Sequence, residues 1–319
     1  MKNMIKHFIK TQDFTREEYL EIFRRAKIFQ EGIEEQGKSF THLCPGKIIA
    51  TMFFQESART IIGLQAAMVR LGGGYIGISG TAGTYLASGE EDFDDFLVSF
   101  TPFCDLMAVR HKSLELDKLT KDFPVPLINA MCGNDEHSIG ALGMAYSMYK
   151  RNADFKNIKY GIYGMIKSSR PAKAYIKALS IMGATVYEDP VIEEFETPQE
   201  IRKFCQSVGG KIIKKKLEDF ISEVDFLHIV EGLPQSGENE ASVDKYNKLF
   251  KILDKKDLNM LKPGAFMFYS MPRKLTDGRL IVNPEIDNDP RVLTMAFMKE
   301  WVYVLMAFYT YLLDVEIKG

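Results

Sequence analysis

The chain has 319 residues, 46 % of them hydrophobic and 26 % charged, a mixture that excludes collagen-like repeats, a disulfide miniprotein and wholesale disorder. At roughly 150 residues per domain, the length corresponds to about two domains. Lys and Arg number 41 against 43 Asp and Glu, a formal charge of -2. That lacks the basic excess of a nucleic-acid binder but leaves room for local basic pockets that hold a small anion.

Cys44, Cys104, Cys132 and Cys205 lie far apart with no CxxC pair, the pattern expected of reduced thiols in a cytoplasmic chain. The opening residues, MKNMIKHFIKTQDF, lack the apolar run of a signal peptide. Residues 14–35 have helical spacing: Thr15 and Glu18 suit a capping box, and Tyr19, Ile22, Phe23, Ala26 and Phe29 form an apolar face. Residues 47–54 read as a buried strand. Residues 61–71 read as a helix stopped by Gly72, Gly73 and Gly74, and 75–79 as the next strand. Strands are again expected at 105–110 and 125–130, an alternation that indicates a parallel sheet covered by helices.

The polar stretch 150–157 marks a junction, after which the pattern restarts. Strands are expected at 159–164, 184–188, 225–230 and 265–270, and a helix at 171–182, with 211–218 and 239–256 as charged helices or loops. The stretch 292–313 is apolar enough to invite a membrane reading. Lys299 and Glu300 near its middle would each cost several kcal/mol in lipid, so a buried terminal helix is expected instead. The fold class is therefore α/β: two domains, each a parallel sheet flanked by helices, with a C-terminal helix packing back across them. The boundaries are 1–150, 151–295 and 296–319.

In such sheets ligands sit beyond the carboxyl ends of the strands. Ser57, Arg59 and Thr60 fall in the loop and first helical turn after 47–54, where the helix dipole, a guanidinium and two hydroxyls suit a phosphate; an ordinary helix cap is the alternative. Arg110 and His111 end the strand at 105–110 and could hold a second oxyanion or polarise a carbonyl, a plain surface pair being the alternative; His137 leaves the polar loop after 125–130 and could hydrogen-bond a carbonyl oxygen, a helix cap being the alternative. Arg170 stands before Pro171 at another helix start, though GIYG there is not a dinucleotide loop. Met271, Pro272 and Arg273 follow the last strand. Neither a metal-ligand cluster nor a nucleophile–base pair accompanies these groups. Such equipment stabilises charge on an already activated substrate and fits group transfer from a small phosphorylated donor.

The same residues resemble the aspartate/ornithine carbamoyltransferase family. FFQESART, residues 53–60, is similar to its carbamoyl-phosphate signature F-x-x-x-S-x-R-T; DLMAVRH, 105–111, resembles its strand ending in Arg-His. PLINAMCGNDEHS, 126–138, resembles its P-x-I-N-A-G-x-G-x-x-x-H-P loop, and Met271-Pro272-Arg273 the end of its H-P-L-P-R motif. PEIDNDPR, 284–291, and the final helix follow its C-terminal pattern, so the similarity spans nearly the whole chain.

The resemblance implies a carbamoyl-phosphate domain, an acceptor domain and a homotrimer with active sites at subunit interfaces. It implies no metal and no organic cofactor, and the charge balance and the charges at 299–300 give no reason to expect a nucleic-acid or membrane partner. It assigns Ser57, Ala58, Arg59 and Thr60 to the phosphate, with Arg59 aiding its departure. Arg110, His137 and Thr60 would polarise the carbamoyl carbonyl, and the Met271 and Pro272 carbonyl groups would hold the carbamoyl nitrogen. Arg170 matches the family arginine for the acceptor's α-carboxylate.

Four departures concern the acceptor. In the acidic loop 80–95, Tyr85 stands where the family has Ser and Ser88, one residue short, where it has Lys. His-Pro-x-Gln becomes His137-Ser-Ile-Gly140, and H-P-L-P-R becomes Tyr269-Ser-Met-Pro-Arg273. Finally Glu231 replaces the arginine that grips the aspartate side chain. A carboxylate facing a carboxylate in a closed cleft costs several kcal/mol. The expectation is an acceptor with one carboxylate and a cationic or donor group, such as a small diamino or amide-bearing amino acid. The alternative is Glu231 turned outward onto a lysine. The competing functions are an ordinary aspartate carbamoyltransferase of pyrimidine biosynthesis and a catalytically inactive homologue that binds a phosphorylated metabolite.

Overall fold

A computed structural model describes residues 5–134, 136–235 and 237–317. The chain divides into two compact units, one of Met1–Tyr146 with Lys299–Gly319, the other of Ser147–Met298.

The first unit opens with α1 (Arg16–Glu34). Thr15 Oγ1 accepts from the Glu18 backbone N–H at 3.3 Å and the Thr15 N–H donates to the Glu18 carboxylate at 2.8 Å, closing the capping box. Tyr19, Ile22, Phe23, Ala26 and Phe29 are all buried. Then come β1 (Ile48–Phe53), α2 (Ala58–Arg70), β2 (Gly74–Ser79), the short α3 (Tyr85–Ser88) and α4 (Phe93–Ser99). β3 (Leu106–Arg110), β4 (Leu127–Asn129) and α5 (Ser138–Arg151) complete the first pass. The strands form a parallel sheet in the order β2-β1-β3-β4. β3 and β4 are buried along their whole length, as expected for strands covered on both faces.

The second unit contains β5 (Lys159–Tyr163), α6 (Arg170–Met182), β6 (Thr185–Asp189), α7 (Gln199–Ser207), β7 (Lys211–Lys214) and α8 (Leu217–Phe220). β8 (Phe226–Ile229), α9 (Glu240–Leu249), α10 (Lys255–Met260) and β9 (Phe266–Tyr269) follow. Its five strands are parallel, in the order β7-β6-β5-β8-β9. Tyr163, Phe195, Phe220, Leu227, Ile229, Tyr246 and Met267 lie in its core. One segment differs from the sequence expectation: 211–214, read as charged helix or loop, is the edge strand β7, in register with β6 from Thr185 opposite Lys211 to Glu188 opposite Lys214. An edge strand needs no continuous apolar run, and its lysines discourage pairing with another sheet.

The last helix, α11 (Thr294–Leu312), returns the chain to the first unit. There Tyr309 donates to the Leu64 carbonyl at 3.0 Å, Trp301 to the Ile139 carbonyl at 3.0 Å, and Tyr311 to Glu18 at 2.8 Å. Lys299 pairs with Glu34 at 2.7 Å and Glu300 is buried, so the charges that argue against a membrane span are used inside the fold. No helix among the described residues is long and apolar enough to cross a membrane.

Candidate active site

In the first unit the carboxyl ends of β1, β3 and β4 lie side by side. Arg110 is opposite Phe53, and the Phe54 N–H donates to the Arg110 carbonyl at 2.8 Å. β1 leads through Gln55–Ser57 into α2. Ser57 has an extended backbone, and its hydroxyl makes no capping hydrogen bond, so an ordinary cap does not explain it. Ala58 and Arg59 are exposed on the first turn, and Thr60 is buried beneath them. A positive helix end with an uncommitted serine and an exposed guanidinium is suited to an oxyanion.

Arg110 is buried at the end of β3 and donates to the Ala130 carbonyl at 3.5 Å. The loop after β4 is pinned. The Asn129 side-chain oxygen accepts from the Met131 and Cys132 N–H groups at 2.8 and 2.6 Å, and the buried Glu136 carboxylate accepts from the Thr11 N–H at 2.9 Å and hydroxyl at 2.7 Å. Asp135 in this loop lies outside the described residues. Met131 has φ +87°, in the left-handed region. His137 begins α5, its carbonyl accepting from the Gly140 and Ala141 N–H groups. A Cβ at Gly140 would come within 3.3 Å of the His137 ring, so the glycine that stands for the family's glutamine leaves the ring its room.

Ser57, Ala58, Arg59, Thr60, Arg110 and His137 thus share one sheet edge. Tyr85 does not join them: on α3 it is 69 % exposed. Its loop nevertheless folds back, for the Phe93 ring packs against Phe54 at 4.9 Å and His111 at 4.3 Å.

In the second unit the turn between β5 and α6 plays the corresponding part. Gly164 has φ +130°, and a Cβ there would approach the Val230 carbonyl to 3.0 Å, so the turn requires glycine. Ser169 caps α6, accepting from the Ala172 N–H at 3.2 Å, and its hydroxyl donates to Glu231 Oε1 at 2.8 Å. Glu231 is therefore turned inward, and the outward pairing with a lysine is not what forms. Its Oε2 is buried with no hydrogen-bond partner among the described residues. Burial pushes the Glu231 carboxyl above its ordinary value, while the Ser270 and Ser169 hydroxyls and the Arg170 charge pull it down.

Arg170 is the first residue of α6. Met271 and Pro272, joined by a cis peptide bond, follow Ser270, and Arg273 is held by Asp287 at 2.6 and 2.8 Å.

Sequence reasoning missed part of this edge. Ser168 donates to the Glu238 carboxylate, and Gln235 donates to the Ser168 carbonyl at 2.8 Å, which brings both side chains onto the turn. It also passed over His228, fully buried in β8 between the Tyr160 and Ser270 hydroxyls. The available signal was a histidine inside an otherwise apolar strand, DFLHIV. Among the described residues, no group of three or more His, Cys, Asp or Glu could hold a metal ion.

Residues 6–150 match the family described as "Aspartate/ornithine carbamoyltransferase, carbamoyl-P binding domain". The chain is 30 % identical over 313 residues to the aspartate carbamoyltransferase catalytic subunit of Clostridium kluyveri, covering 98 % of this chain and 99 % of that one. It is 31 % identical over 319 residues to the Clostridium botulinum (strain Hall) counterpart, at the same coverage. Among solved structures, its fold is similar to the catalytic subunit of M. jannaschii aspartate transcarbamoylase, with TM-score 0.83 and 24 % identity over 97 % of this chain and 98 % of that one. The Trypanosoma cruzi aspartate transcarbamoylase in complex with carbamoyl phosphate gives TM-score 0.84 at 20 % identity, covering 96 % of this chain and 95 % of that one.

Proposed function

Because this chain belongs to the aspartate/ornithine carbamoyltransferase family, we propose that it moves the carbamoyl group of carbamoyl phosphate to the amine of a small amino acid other than aspartate, one that carries a single carboxylate and a cationic group. The observation that carries this reading is the inward Glu231 carboxylate, with one buried oxygen lacking a hydrogen-bond partner. An aspartate side chain would bring a second anion to it. A side-chain ammonium supplies the missing charge and donors, as in a small diamino acid.

In this reading Ser57, the α2 N–H groups from Ala58, Arg59 and Thr60 hold the phosphate. Arg110, His137 and Thr60 donate to the carbamoyl oxygen, and the Met271 and Pro272 carbonyl groups accept from the carbamoyl nitrogen. Arg170 holds the acceptor's α-carboxylate. The neutral α-amine attacks the carbamoyl carbon, the C–N bond forms, the C–O bond to phosphate breaks, and the departing phosphate takes the amine proton. Fixed donors aimed at developing charge contribute about 3 kcal/mol each in such sites. The assembly is a homotrimer, in which the Tyr85 loop serves an adjacent site. The donor assignment is supported by the T. cruzi relative, solved with carbamoyl phosphate.

The names of the curated relatives favour a second reading, with aspartate as acceptor. A panel of aspartate, asparagine, ornithine and shorter diamino acids, assayed with carbamoyl phosphate for phosphate release, separates the two. Turnover is expected with a diamino acid and not with aspartate. Aspartate turnover at ordinary rates overturns the acceptor assignment, and no turnover with any amine favours a binding protein.

A further inference from the structure

We infer that Tyr269, Arg273 and Asp287 are positioning residues: the two ends of the segment 269–273 close on one carboxylate, and this clamp fixes the main-chain carbonyl groups that hold the nitrogen of the carbamoyl donor. The inference rests on the reading above, in which the Met271 and Pro272 carbonyl groups accept from that nitrogen.

The segment leaves the sheet at the carboxyl end of β9 and is held at both of its ends. At the first, Tyr269 is buried; its N–H donates to Thr294 Oγ1 at 3.0 Å, and its phenol hydroxyl donates to Asp287 Oδ1 at 2.8 Å. At the second, Arg273 Nη1 donates to the same carboxylate, 2.6 Å from Oδ1 and 2.8 Å from Oδ2, and lies 3.1 Å from the Tyr269 hydroxyl. The guanidinium also stands 5.4 Å from the Tyr269 ring centroid, within reach of a cation–π contact. Side chains four residues apart thus meet on one anion, and the main chain between them closes into a ring. Inside it Ser270 is tied twice, by its N–H to the Ile229 carbonyl at 2.9 Å and by its hydroxyl to His228 Nε2 at 2.8 Å. The Met271 side chain packs against the second unit's core.

Asp287 is itself held in place. It follows the 3-10 turn Pro284–Ile286, and its N–H donates to the Pro284 carbonyl at 3.1 Å. Ile286 is fully buried in the same core, and the Asn283 N–H donates to the Leu253 carbonyl at 2.7 Å. An isolated surface ion pair is worth little. Here the side chains of Arg273 and Asp287 are only 22 % and 31 % exposed, and a buried phenol shares both partners. Hydrogen bonds to a charged acceptor are also the stronger kind. Carbonyl acceptors that are already in place spare a ligand the cost of ordering them. Tyr269 and Ser270 are two of the departures from H-P-L-P-R, so the hydroxyl links of this clamp belong to this chain's own version of the motif.

The experiment measures equilibrium binding of carbamoyl phosphate, acetyl phosphate and inorganic phosphate by isothermal titration without acceptor. Wild-type protein is compared with Asp287→Ala, Tyr269→Phe and Arg273→Lys. Acetyl phosphate carries a methyl group where carbamoyl phosphate carries its amine, so it leaves the carbonyl acceptors unpaired. Wild type is expected to bind carbamoyl phosphate at least about tenfold more tightly than acetyl phosphate. Asp287→Ala should cut that discrimination about tenfold and leave inorganic phosphate binding in place. Tyr269→Phe, which removes one hydroxyl and keeps the ion pair, should give a smaller loss in the same direction. Arg273→Lys keeps the charge without the planar fork and should fall between the two. If Asp287→Ala does not fold, Tyr269→Phe decides the matter alone, and full discrimination in it overturns the clamp. A variant that weakens all three ligands equally overturns it as well, because loosening the protein as a whole explains that result. If wild type itself binds acetyl phosphate as tightly as carbamoyl phosphate, the carbonyl reading fails. If wild type discriminates and every variant discriminates equally, that reading stands and only the clamp fails.

Discussion

Each unit places a strand–turn–helix segment inside its sheet, β1 into α2 and β5 into α6, and each helix begins beside a serine and an arginine. The serines behave differently. Ser57 makes no capping bond, and Arg59 beside it is exposed. Ser169 caps its helix and also donates to Glu231. The first arrangement leaves a positive helix end open to an anion; the second has a buried carboxylate over the turn. The same backbone geometry can thus present opposite charge, according to the side chain the neighbouring strand end supplies.

The largest effect that would test this contrast is kinetic. Arg59→Ala should lower kcat by roughly 100- to 1000-fold, the usual loss for one donor at a developing charge. Arg170→Ala should instead raise the acceptor KM and leave the carbamoyl phosphate KM in place. Steady-state kinetics on both variants checks this. If Arg170→Ala weakened carbamoyl phosphate as strongly as Arg59→Ala, the two edges would not divide the substrates.

The second unit's buried polar chain should also appear in its stability. His228 has an ordinary value of 6.5 and is pushed to about 3 by burial. Between those values the unfolded chain binds a proton that the folded chain refuses, so stability falls as pH drops from about 6.5 towards 3. The slope from this one group is up to about 1.4 kcal/mol per pH unit. Denaturant unfolding across that range should show it, and His228→Gln should remove that component. A variant with the same acid sensitivity as wild type would mean the imidazole is protonated in the fold.

The strands and the gathering of Ser57, Arg59, Thr60 and Arg110 at strand ends were legible in the sequence because each rests on local signals: apolar runs, a capping box at Thr15 and Glu18, and hydroxyls and arginines after the strands. The edge strand β7 was not, because solvent-facing lysines give no apolar pattern. The hydrogen-bonded chain from Tyr160 to Ser270 was not either. Its members are 68 and 42 residues apart along the chain, and only the register of β5, β8 and β9 brings them together. Which way Glu231 faces was left open by the sequence, because its inward direction depends on Ser169, 62 residues earlier.

A smaller effect sharpens the comparison of the turns. Gly164 meets its positive φ without strain, whereas Met131 sits at φ +87° with a side chain. Met131→Gly should stabilise the protein by about 0.5–1 kcal/mol, the left-handed cost of a non-glycine residue less the entropy glycine adds to the unfolded state. Chemical denaturation measures it, and a loss of stability would mean that the Met131 side chain packs well enough to outweigh the strain.

The smallest effect concerns Tyr85, 69 % exposed on its short helix. Removing an exposed ring should change stability by no more than about 0.5 kcal/mol, so Tyr85→Ala should unfold with wild type. Its kinetics answer a separate question. If the loop completes an adjacent subunit's site, Tyr85→Ala should lower turnover with no loss of stability. Mixing that variant with Arg59→Ala protein should then recover activity, because some sites would combine an intact loop with an intact phosphate edge. Phe93 anchors the loop to Phe54 and His111, so the loop keeps its place on its own subunit while its tip reaches outward. If mixing restored no activity and Tyr85→Ala turned over like wild type, the tip would be a solvated surface and the phosphate edge would work without it.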